Sequence, residues 1–183
     1  MFFINVYLIY VFMQYFKISL GLFLALSISR FIPHPPNFTS LLALSFYVPA
    51  IFGVYYIFPL ILSFFLTDIF IGFHNLVFFT WGSIILIGLI SKYFYKSFYL
   101  RIFGAFFSSI LFYLITNYGV WLLGGYEFSL NGLVQSYIMG LPFFKYTLIS
   151  TLVFSTFFEI AINLLKQKEY FKKYVFYRLS SKN

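Results

Sequence analysis

The 183-residue sequence predicts an all-α, polytopic membrane protein built as a bundle of six transmembrane helices. Three observations lead there. Hydrophobic residues make up 62% of the chain and charged residues 9%, whereas a soluble domain is about 45–50% apolar and about 25% charged. The 30 Phe and 17 Tyr are more than a soluble core of this size can hide, so lipid has to cover them. Finally, a spanning helix needs about 20 largely apolar residues, so six would take up ~120 residues, and the turn signals fall at intervals that suit six. This composition excludes a cytosolic enzyme, a nucleic-acid binder and a disordered linker. With 0 Cys there is no disulfide framework, thiolate metal site or cysteine nucleophile.

The elements follow from the punctuation. The first helix runs from about Gln14 to Phe31 and stops at Pro33-His34-Pro35-Pro36, which cannot continue a helix. The second begins near Thr39 and the third ends near Gly72, with a tight turn between Gly53 and Pro59 and with Pro59 suited to a first helical turn. The fourth covers Leu76–Ser91, the fifth Leu100–Leu123 and the sixth Lys145–Leu165. Residues 1–13 read as an apolar extension or as the start of helix one, with Met13 the favoured biological start. No basic n-region or small-residue cleavage site marks a signal peptide. The organisation is therefore 1–13, a membrane domain over 14–165, and a basic tail over 166–183 that reads as an amphipathic helix on the inner leaflet.

Charge sets the expected orientation. Basic residues in short loops mark the cytoplasmic side. With six spans both termini share a side, and ten of the twelve basic residues fall there: Lys17, Lys92, Lys96, Arg101, Lys166, Lys168, Lys172, Lys173, Arg178 and Lys182. Only Arg30 and Lys145 fall opposite. The +8 charge is thus a topology signal and implies no nucleic-acid partner.

The chemically interesting residues collect at the other, non-cytoplasmic end. Three prolines stiffen the loop that presents His34 and Asn37 beside Arg30. Helix three carries Asp68 and ends before His74; helix five ends with Asn117 and Trp121, one turn apart. Tyr126 follows in the next connection, which also holds Asn131, Gln135, Tyr137 and Pro142. An isolated carboxylate at a helix centre costs about 2.5–3.5 kcal/mol on insertion scales, so Asp68 is expected to face the bundle interior, a partner cation or a watery cavity. Convergent polar groups among aromatics describe a small-molecule pocket. Glu159 is expected to pair with Lys166 or a partner protein, or to lie near the inner end. On helix one Gly21, Ala25 and Ser29 recur every four residues, a flat strip for close helix approach, either within the bundle or with a partner. Asn37-Phe38-Thr39 matches a glycosylation sequon. No ATP-binding loop, dinucleotide fingerprint or nucleophile elbow is present, which points away from an enzyme.

Arg30 with Pro33–Thr39, then Thr67–His74, Asn117–Trp121 and Gly140–Phe144, resembles an uncharacterised bacterial integral-membrane family that is similar to the substrate-binding (S) components of energy-coupling factor (ECF) vitamin transporters. The resemblance implies a bundle in the bacterial inner (plasma) membrane that binds a vitamin or micronutrient from outside beneath the Pro33–Thr39 loop. Uptake would be energised by a separate transmembrane coupling protein carrying two cytoplasmic ATPases, docked on Gly21, Ala25 and Ser29. Under that reading Arg30, His34, Asn37, Asp68, His74, Asn117, Trp121 and Tyr126 line the pocket, with no metal or cofactor. Two other classes stay open: a divalent-metal protein using His34, His74 and Asp68, and a structural envelope protein without a ligand.

Overall fold

A computed structural model describes residues 2–166, with side chains from Tyr10 to Leu164. The tail over 167–183, read from the sequence as an amphipathic helix, lies outside the described residues. The chain forms α1 (Phe2–Phe31), α2 (Leu41–Phe52), α3 (Ile57–Ile71), α4 (Val77–Ile90), α5 (Phe98–Leu122) and α6 (Leu130–Lys166), with short 3₁₀ turns at Val54–Tyr56 and Ser91–Tyr93. Among the described residues there is no strand.

Proline follows the end of α1, and glycine ends α2 and α3, as the sequence predicts. α3 stops where Gly72 takes a φ of 105°, a conformation that costs glycine little. Pro59 sits in the first turn of α3, where its missing N–H is harmless. α1 runs unbroken through Met13. The sixth helix departs from expectation. It starts at Leu130 rather than Lys145 and takes in Asn131, Gln135, Tyr137 and Pro142, so Lys145 is an exposed mid-helix residue and not a loop cation. Ser129 opens it, accepting the Gly132 N–H on its hydroxyl at 3.1 Å. Gly140 and Pro142 look like breakers in isolation, but a neighbouring helix can satisfy the backbone groups they free. α5 is tied to this part of α6: the Tyr113 hydroxyl donates to the Tyr137 carbonyl, and the Tyr137 hydroxyl donates back to the Leu114 carbonyl.

The molecule is apolar outside, and its interior mixes two hydrophobic clusters with many small hydroxyl side chains. Phe70, Phe78 and Tyr99 are each more than three-quarters exposed, while Ser45, Ser83, Ser108, Ser109, Thr151 and Ser155 are fully buried. Helices in lipid gain nothing by hiding Leu from Leu, so close packing through small residues holds them instead. Four helical stretches are long and apolar enough to cross a membrane: Tyr10–Phe31, Val54–Ile71, Phe98–Leu122 and Leu130–Leu164. Six helices are present as predicted, but α2 and α4 are shorter than a span. The 12 residues of α2 rise only roughly 18 Å. Leu41 through Ala50 are all buried, which explains how a helix apolar on every side is accommodated: the other helices enclose it.

α5 and α6 are clamped by charge. Arg101 donates Nε–H to Glu159 Oε1 at 2.6 Å and Nη2–H to Oε2 at 2.7 Å, and its Nη1 reaches the Tyr95 carbonyl at 2.8 Å. Both side chains are buried. Glu159 is therefore paired with Arg101, and Arg101 is a structural residue rather than a free loop cation. The Tyr47 hydroxyl of α2 lies against the same carboxylate and Ser155, and its ring stacks on Phe158 at 5.2 Å. Beside the pair, Gly104 of α5 lies under the Phe46 ring, where a larger residue would collide.

Breaking a buried ion pair from one side leaves an uncompensated charge, at a cost of about 3–5 kcal/mol. Glu159→Ala should therefore lower the unfolding temperature in detergent sharply. The double variant Arg101→Leu/Glu159→Leu should recover most of the loss, which a thermal melt of the three proteins would measure.

Candidate functional site

The connections α1–α2, α3–α4 and α5–α6 share one end of the bundle, because His34, His74 and Tyr126 line a single cavity there. At the opposite end Tyr15 stacks on Tyr56 at 4.9 Å. The cavity has a volume of about 530 Å³, within the usual range for small-ligand sites.

Its roof is the segment between α1 and α2. Pro33, Pro35 and Pro36 restrict it, and the Phe38 N–H donates to the Pro35 carbonyl at 3.0 Å. Asn37 turns the chain with a φ of 63°, which Asn tolerates better than most residues with a Cβ. The Ser150 hydroxyl of α6 donates to the Asn37 carbonyl at 3.4 Å, and the Phe38 and Phe154 rings approach to 6.3 Å. His34 Nδ1 lies 2.7 Å from the Pro35 carbonyl, so that nitrogen carries the proton and Nε2 is left for other partners.

Beneath the roof lies the Arg30–Asp68 pair. Arg30 Nη2 is 2.7 Å from Asp68 Oδ1, an ionic contact rather than an aligned hydrogen bond. Nη1 donates to the Thr67 hydroxyl, and the guanidinium lies 4.4 Å over the Phe64 ring. The Trp81 indole donates to Asp68 Oδ2 at 3.2 Å. Asp68 is completely buried and Arg30 keeps a small exposed edge. The carboxylate predicted to be hardest to dismiss thus has a partner cation, and only that cation reaches the cavity wall.

Of the residues singled out in the sequence, Arg30, His34, Asn37, His74, Asn117 and Tyr126 meet at this cavity. Asp68 and Trp121 do not line it. Asp68 stands behind Arg30, for the reason just given. Trp121 is drawn into the α5–α6 turn, where its indole donates to the Glu127 carbonyl at 3.2 Å and its ring stacks on Phe128 at 4.4 Å. Thr80, Thr116 and Ser136, which sequence reasoning missed, also line the cavity, with Phe64, Phe112 and Phe143 as apolar wall. Their hydroxyls donate to carbonyls of their own helices, so they are satisfied without a ligand. Asn117 donates to the Tyr113 carbonyl at 2.8 Å and packs against Gly140, where a Cβ would displace it. The signal available in the sequence was helical spacing, since Thr80 lies one turn after Leu76 and Ser136 one turn before Gly140.

The small strip on α1 divides. Gly21 and Ala25 are exposed, whereas Ser29 packs internally with its hydroxyl 2.7 Å from that of Ser40. No three His, Asp or Glu side chains come together to hold a metal among the described residues, and Asp68, one of the three ligands that reading needs, is already held by Arg30 and Trp81.

Fold and site together define a class: a helical protein with a lipid-compatible surface and a polar cavity at a bundle end. Residues 11–174 match the model of DUF6580, a family of unknown function, and the chain belongs to that family. No curated protein and no solved structure matches the chain.

Asp68→Leu should destabilise the bundle by about 3–5 kcal/mol, since Arg30 then loses its counter-charge. The chain has two tryptophans, Trp81 and Trp121. In a Trp121→Phe background the same substitution should shift the emission of Trp81, as the indole N–H loses its acceptor; steady-state fluorescence reads this directly.

Proposed function

We propose that the chain is the membrane-embedded solute-binding member of an uptake system. It takes a vitamin or similar micronutrient from the non-cytoplasmic side and works with a separate transmembrane coupling protein carrying two ATPases, as the S components of ECF transporters do. On this reading the chain is a binding subunit, not an enzyme. The observation that supports it is the convergence of Arg30, His34, Asn37, His74, Asn117 and Tyr126, from four separate parts of the chain, on one cavity of about 530 Å³ under a stiff loop. A scaffold protein has no need for such a hollow, and its walls combine aromatic faces with a few polar groups, as small-molecule sites do.

The reading also takes the six helices as six passes of the bacterial inner membrane with both termini cytoplasmic. The cavity then faces outward, and Lys92 and Lys96 lie on the inner side, as basic loop residues should. Gly21 and Ala25, exposed on α1, stay available for the coupling protein.

A thermal-shift screen of the purified protein against water-soluble metabolites tests the reading. One compound should raise the unfolding temperature by binding the folded state. His74→Ala and Asn117→Leu should each weaken that compound about tenfold, ~1.4 kcal/mol, the scale of one lost hydrogen bond to a ligand. A screen in which nothing shifts the wild-type melt sinks the proposal.

Orientation is tested separately. The chain has 0 Cys, so single-cysteine reporters are clean. In intact cells Asn75→Cys should react with a membrane-impermeant maleimide, whereas Lys96→Cys should react only after lysis. The opposite pattern reverses the orientation.

A further inference from the structure

Alongside the polar cavity lies a second, chemically different hollow. It is a groove of about 730 Å³, floored by Ser40 and Leu44 of α2 and walled by α1 on one side and α6 on the other. Ile28, Phe157 and Ala161 line it and are exposed, so it opens sideways between the two helices. Its polar groups are few. The Ser29 and Ser40 hydroxyls are bonded to each other at 2.7 Å. The remaining one is His34, which also lines the polar cavity. The two hollows therefore meet at one imidazole, with the proline segment as their common roof: Pro33 and Phe38 face the groove, and Asn37 and Thr39 the cavity.

The charges around the cavity restrict its occupant. The side chains that line it include Arg30, His34 and His74 but no Asp or Glu. The nearest carboxylate, Asp68, is fully buried behind Arg30. The Thr80, Thr116 and Ser136 hydroxyls already donate to helix carbonyls, so the cationic donor a ligand meets is the Arg30 edge, with the His74 ring and the Asn37, Asn117 and Tyr126 side chains beside it. A cationic group finds no carboxylate on that lining, whereas an anionic one finds the Arg30 edge.

From this adjacency we infer that the ligand is an amphiphile, with an anionic head held in the cavity by Arg30 and His74 and an alkyl chain running past His34 into the groove between α1 and α6. The inference rests on the solute-binding reading and narrows its substrate class. The groove runs from Ala25 to Ile32 on α1 and from Phe154 to Ala161 on α6, a length of roughly 10 Å at the helical rise. That suits a medium-length chain. A solute arriving from water gains by burying each methylene there, whereas a lipid already in the bilayer gains almost nothing, so the groove selects solutes that come from outside.

The test is equilibrium binding of radiolabelled straight-chain carboxylates, from four to ten carbons, to the full chain in nanodiscs, with empty nanodiscs subtracted. Affinity should rise about threefold to fourfold per methylene and level off once the groove is full. Ala161→Trp, which fills the groove from α6, should flatten that slope, and so should Ala25→Phe from the α1 side, which guards against misfolding of either variant alone. His74→Ala should weaken every homologue by one common factor, and alkylammonium ions of equal length should not bind. A slope identical in the wild type and both groove variants, or a flat slope because bilayer lipid keeps the groove filled, overturns the chain site. Equal binding of alkylammonium overturns the anionic head. In those cases a short carboxylate or a screened metabolite that still binds leaves the solute-binding reading standing. If no homologue and no metabolite binds at all, both fall together.

Discussion

The contact between Arg30 and Asp68 governs the geometry of this bundle. It ties the end of α1 to α3, at the cavity that Arg30 lines. Neither charge could be buried alone, since a lone ion in a low-dielectric interior is far costlier than a matched pair. The Thr67 hydroxyl, the Phe64 ring and the Trp81 indole complete the arrangement from α3 and α4. The pair thus carries a structural load and supplies the cationic edge of the cavity at once.

A second constraint shapes the rest: polar groups surrounded by apolar ones have to find partners inside the chain. Buried serines and threonines bond to carbonyls one turn back on their own helices, as Ser45, Ser63 and Ser108 do. Small side chains also let the helices come close, which is why α2 can be enclosed along nearly its whole length. Arg101 and Glu159 repeat the logic of the first pair at the other end, tying α5 to α6 where Tyr47 of α2 approaches them. α1 and α6 leave the groove open between them, with Leu44 of α2 at its floor.

The proline segment converts this frame into a site. Backbone restriction by Pro33, Pro35 and Pro36, the turn at Asn37 and the anchoring by Ser150 hold the roof in place before any ligand arrives. Preorganisation of that kind lowers the ordering cost of binding. It also lets one short loop present different side chains to two unlike hollows.

Much of this was legible in the residues themselves. An apolar, aromatic-rich chain with Gly and Pro at intervals can only be helices in an apolar surrounding, so helix number and most ends could be read locally, from Pro33 to Gly72. His34, Asn37, His74, Asn117 and Tyr126 could be gathered to one end by counting passes, because alternate connections must share a side. Partnership could not be read that way. Whether Asp68 would face a ligand or a cation, and whether Glu159 would find Lys166 or Arg101, depends on helix rotation and neighbour order, which turn signals do not encode. The start of α6 at Leu130 was hidden for a related reason: Gly140 and Pro142 read as breakers in the sequence, yet the helix runs through both. The groove between α1 and α6 belongs wholly to tertiary structure, since it exists where two helices fail to meet, and no local pattern records a missing contact.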